Sequence, residues 1–95
     1  MLKHVVCYKV HDNSLSELQK AKDVFMTMKG NIPGLLDVEV GFNVVESQRS
    51  YDLILVCLFE SLDALNYYMT HPIHIPVKEY IATIKVHSVA VDYFI

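Results

Sequence analysis

The sequence predicts an α+β domain with the ferredoxin-like βαββαβ order, and three observations carry that prediction. Four strand-like stretches are interleaved with two of helical spacing, in the order strand, helix, strand, strand, helix, strand. One strand, Leu53 to Phe59, is apolar on both sides, so both of its faces need cover. Finally, 53% of the 95 residues are hydrophobic and the mean hydropathy is +0.29. A chain this short buries only a modest core, so the excess points to a partner surface. All of it belongs to a single domain, residues 1–95.

Leu2 to Val10 reads as the first strand, with His4, Val6, Tyr8 and Val10 on one face and Lys3, Val5, Cys7 and Lys9 on the other. Asp12-Asn13-Ser14 is turn chemistry. Ser14 and Glu17 have capping-box spacing, which predicts a helix from there to about Lys29. Leu15, Leu18, Ala21, Phe25 and Met28 make its apolar stripe, and Gly30 is a natural stop. Leu35 to Val45 is the second strand, with an interruption expected near Gly41. Glu46 to Ser50 is a polar hairpin loop, and Asp52 to Phe59 is the third strand. Glu60 or Ser61 opens the second helix, which places Leu62, Leu65 and Met69 on one side and ends at Pro72. Pro76 suits the first position of a short further helix. Lys85 to Phe94 is the last strand. In this order both helices cover one sheet face. The other is apolar as well, so a homodimer packed sheet on sheet is expected.

Composition narrows the function classes. A net charge of −3 without a basic run argues against nucleic acid. No stretch reaches membrane-span length, and the N-terminus enters strand-like sequence directly, so neither membrane nor export is expected and the location reads as cytoplasmic. Cys7 and Cys57 sit in apolar runs without CxxC spacing and read as free thiols. No glycine-rich phosphate loop occurs, and His71 and His74 lack an evident third ligand, so no cofactor and no metal are expected.

Titratable groups concentrate between Asn66 and Val77, where Tyr67, Tyr68, His71 and His74 stand among Pro72 and Pro76. The run Tyr68-Met69-Thr70-His71-Pro72-Ile73-His74, taken with Lys3-His4-Val5-Val6, Ile32-Pro33-Gly34 and Phe59-Glu60-Ser61, resembles the stress-responsive A/B barrel (Dabb) family over essentially the whole chain. The resemblance implies a dimeric α+β barrel, with no established reaction for most members. It extends distantly to olivetolic acid cyclase, a polyketide ring-closing enzyme. That likeness implies His74 and Tyr68 as catalytic candidates and His4 as a cavity residue. It also sets Phe25 where the cyclase has a pocket tyrosine, and the segment after His74 differs.

Chemically, a histidine suits a base removing a proton next to a carbonyl, and a tyrosine suits a neutral donor to the resulting oxyanion. Binding candidates are His4, Phe25 and His71. Each has a structural alternative. His74 could tie down its loop, His71 could sit as a favourable cation at a helix end, and Tyr68 and His4 could be core residues. Three functions follow: a dimeric stress-related or small-molecule-binding protein, a cofactor-free cyclase- or lyase-type enzyme on a polyketide-like or aromatic molecule, or a structural oligomerisation module.

Overall fold

The computed structural model describes residues 1–95. In chain order its elements are β1 (Leu2–Val10), α1 (Leu15–Met26), β2 (Leu35–Phe42), β3 (Leu53–Phe59), α2 (Leu62–Met69), α3 (His74–Ile84) and β4 (Lys85–Phe94). Every strand pairing is antiparallel and the sheet order is β2-β3-β1-β4. This is the expected α+β, ferredoxin-like arrangement. None of the helices is long and apolar enough to cross a membrane.

The helix ends depart from expectation in instructive ways. No capping box forms at α1: Ser14 makes no side-chain cap, and Glu17 turns to Lys20. Asp12 takes the role instead, accepting the Ser14 backbone N–H at 2.9 Å in a tight local turn. Helix α1 stops at Met26 rather than Lys29, and the chain reverses at Gly30, whose φ of 78° suits glycine. Leu18, Ala21, Phe25 and Met28 are buried as the stripe predicts, but Leu15, the first residue of α1, is exposed. At α2 the Ser61 hydroxyl accepts the Ala64 N–H at 3.1 Å, as expected of an N-cap. Its buried face is Leu65 and Tyr68, while Leu62 and Met69 are exposed. Helix α3 begins at His74, two residues before Pro76. The proline is still tolerated, because first-turn N–H groups have no intrahelical partner to lose.

Strand β2 ends at Phe42, short of Val45, and its register shift falls between Leu35 and Asp37, not at Gly41. Gly41 answers a space requirement: a Cβ there would lie 3.2 Å from the Ile54 side chain across the pair. Asp52, just before β3, is buried. It accepts the Val10 N–H at 2.8 Å and the Asn13 amide at 3.2 Å, so its carboxylate fixes where β1 passes into the turn before α1.

The two faces of the sheet differ in cover. Leu53, Leu55, Cys57 and Phe59 of β3 point into the helix layer, where they meet Phe25, Met28 and Tyr68 in the core. Fully burying one such aromatic contributes about 1.5–3 kcal/mol. On the opposite face, cross-strand rows Val56–Val5–Val91 and Ile54–Cys7–Val89 lie bare, with Val89 and Val91 exposed and the rest half-buried. A contiguous apolar patch of this kind marks an interface.

Candidate functional site

Tyr68 is the penultimate residue of α2 and His74 the first of α3. Between them Pro72 forbids continuation of the helix, and the chain turns on short backbone bonds: His71 N–H to Tyr68 C=O at 3.1 Å and His74 N–H to His71 C=O at 2.9 Å. The turn folds His74 back over Tyr68, so the two rings stack with centroids 4.0 Å apart. Phe59 meets Tyr68 edge-on at 5.0 Å and His4 does so at 6.1 Å. Tyr68 is therefore the hub of an aromatic cluster and is 2% exposed.

Both rings line a cavity of about 190 Å³ between α1, α3 and the sheet, shared with Tyr8, Phe25, Val77 and Ser88 among others. Three of the sequence candidates, Tyr68, His74 and Phe25, thus meet at one hollow. His4 stands behind Tyr68, outside the lining. His71 lies outside too; its Nδ1 accepts the Ile73 N–H at 3.0 Å, and Tyr67 packs edge-on against its ring. Two larger grooves, each near 400 Å³, are more open: about 420 Å³ under the β2–β3 hairpin and about 410 Å³ between α1 and the α2–α3 turn. Neither gathers paired proton donors and acceptors as the smaller hollow does.

One partner went unrecognised in the sequence. Asp92 on β4 accepts from His4 Nδ1, because the strand register sets the two directly opposite. No spacing rule links residues so far apart in the chain.

His74 Nδ1 lies 3.2 Å from the Met69 carbonyl. A carbonyl only accepts, so Nδ1 carries the proton and Nε2 is left as a free lone pair. Burial lowers the His74 pKa; the Met69 carbonyl opposes this, and the nearby Lys78 and His4 add to it. The neutral imidazole is therefore the resting form. Burial also raises Tyr68, with Cys57 and Tyr8 adding to the effect, and pushes Tyr8 up to about 12, so both phenols remain protonated donors. Cys57, likewise pushed up to about 12 by burial, stays a thiol.

Acidification tests the His74 assignment. Unfolded His74 takes up its proton near 6.5 and the folded residue only at lower pH. The unfolded state then binds more protons, so stability is full above 6.5 and declines as pH falls through the depressed folded value. In urea titrations between about pH 7.5 and 5 the wild type loses stability more steeply than His74→Gln. Equal slopes would refute the depressed value.

The sequence pattern of the stress responsive A/B barrel domain family matches residues 2–95. No curated protein matches by sequence. Among solved structures, a dimeric ferredoxin-like protein of unknown function from Bacteroides fragilis is 26% identical, with TM-score 0.82, covering 99% of this chain and 95% of that one. A protein from Arabidopsis thaliana superposes with TM-score 0.88 at 20% identity over 100% of this chain and 95% of its own. The hydroxynitrile lyase of Passiflora edulis shares the fold with TM-score 0.85 at 11% identity, covering 99% of this chain and 92% of the lyase.

Proposed function

The chain belongs to the stress responsive A/B barrel domain family, and we propose that it acts as a cytoplasmic homodimer, joined through the bare sheet face, whose helix–sheet cavity binds a small apolar or aromatic molecule. The observation that carries this reading is the stacked Tyr68–His74 pair in the wall of a hollow that also presents the apolar Phe25, Val77 and Ile81. Dimerisation is supported by the uncovered apolar rows of β1, β3 and β4, and by the dimeric Bacteroides relative. The unpaired thiols Cys7 and Cys57 suit a reducing compartment.

Binding is tested by titrating the protein with small aromatic probes, such as phenol and benzaldehyde, while following its amide and methyl NMR signals. Shifts are expected to cluster at Phe25, Tyr68, His74 and Ile81. Shifts confined to the hairpin groove around Arg49 and Tyr51, or none at millimolar probe, would overturn the assignment.

A second reading has its own support. A neutral imidazole with a free Nε2, stacked on a protonated phenol, is an arrangement suited to acid–base chemistry. His74 Nε2 would take a proton from a carbon next to a carbonyl, while the Tyr68 hydroxyl donates to the developing enolate oxygen. The Passiflora lyase demonstrates that this fold supports an enzyme. Exchange of the α-protons of a simple ketone in deuterated water, lost in His74→Ala while the protein stays folded, is the expected signature. Equal exchange in both proteins would leave binding alone.

A further inference from the structure

The polar groups of the cavity are unequally distributed by charge. The chain carries 11 acidic residues against 8 lysines and arginines. Yet the cavity wall includes Lys78 and Lys85 and not one carboxylate. Neither ammonium has an ion-pair partner; the three pairs in the structure are Lys20–Glu17, Lys29–Asp37 and His4–Asp92. Lys78 is near enough to His74 to disfavour its protonation.

Lys78 lies on α3, and Lys85 follows at its C-cap, where the backbone turns extended into β4. Lys78, Ala82 and Lys85 follow one another at intervals of four and three residues along α3 and its end. Seven residues separate the lysine Cα atoms by about 10 Å of helix rise, a span that two flexible side chains close onto one group. Near them the lining adds the hydroxyls of Tyr8 and Ser88. Ammonium groups only donate, and the Tyr8 phenol stays protonated, so this end of the cavity has protons to give and no formal negative charge to offer. The remaining wall joins the apolar Phe25, Val77 and Ile81 to the stacked Tyr68–His74 pair. A hollow of roughly 150 Å³ holds one benzene ring. At about 190 Å³ this one takes a ring or short chain with a small substituent.

We infer that the ligand of this cavity is a small carboxylic acid, either monocyclic or short-chain, whose carboxylate is held between Lys78 and Lys85 while its apolar body lies against Phe25, Val77 and Ile81. This assignment rests on the small-molecule reading above and adds the charge of the ligand to it. The carboxylate gives both exposed lysines a charge-assisted partner in place of water, which an uncharged isostere does not.

The test is a matched pair of probes, benzoate and benzamide, titrated at pH 7.5 into wild type and into the Lys78→Gln/Lys85→Gln double variant. In wild type benzoate binds about tenfold tighter than benzamide, with shifts at Tyr68, His74 and Ile81, and the preference weakens with added salt. In the double variant the preference disappears while benzamide affinity is retained. Equal affinities in wild type would overturn the carboxylate assignment and leave the cavity reading intact. A benzoate preference that survives in the double variant would also overturn it. Absence of cavity shifts with either probe would overturn both readings together. Both lysines are exposed, so the double variant is expected to fold; a matching thermal melt verifies this.

Discussion

Val56→Glu is expected to convert the protein from a dimer of about 22 kDa, twice the 10.9 kDa chain, to a monomer. Val56 sits in the middle strand row of the bare face, paired with Val5, which in turn faces Val91. Packing a second sheet there removes these side chains from water, and a two-fold axis introduces every substitution twice. An unpaired carboxylate in such a contact costs several kcal/mol, enough to weaken association by a hundredfold or more. Sedimentation velocity across the micromolar range reads the outcome directly. Leu62→Glu is the control: Leu62 is also exposed and apolar but lies on the helix layer, and its replacement leaves the dimer unchanged. A dimer that survives Val56→Glu would move the interface to another surface.

The largest effect on the fold is expected at Tyr68, which does two jobs. Its ring is enclosed by Phe59, His74 and His4, so Tyr68→Ala leaves a void at the centre of the aromatic cluster. Such truncations cost about 3–5 kcal/mol. For a domain of this size that lowers Tm by roughly 15–30 °C. Tyr68→Phe keeps the ring and removes only the hydroxyl, so its melting temperature stays within a few degrees of wild type. Scanning calorimetry of the two variants separates the roles. A Tyr68→Ala protein as stable as wild type would show that the cluster relaxes around the gap and that the stack at His74 has little structural weight.

How far the sequence discloses this site depends on the kind of signal involved. Pro72, followed by His74 two residues on, already implies a helix end folding back near Tyr68, because proline acts on its immediate neighbours. Phe25 is legible as a core-facing position from the helical stripe. The two lysines at the cavity rim were not legible. Lys78 and Lys85 read as ordinary solvated charges; only the packing of α3 and the start of β4 beside the sheet sets them in the wall of the hollow. His71 is a case of the reverse kind: it belongs to the same dense run of titratable residues, yet its ring is engaged with the Ile73 backbone and Tyr67, away from the cavity.

The order of elements, the two faces of β1, the apolar character of β3 on both sides and the Ser61 cap are all properties of neighbouring residues, and the sequence by itself determined them. Backbone preference and side-chain periodicity operate over a few positions, so they survive without the rest of the molecule. The loss of the Ser14–Glu17 box to Asp12, the exposure of Leu15, the Asp52 anchor on Val10 and the His4–Asp92 pair were decided by tertiary structure. The last of these joins residues 88 positions apart. They meet only because the β1–β4 register aligns Leu2 with Phe94, and register is set by which faces the whole sheet buries.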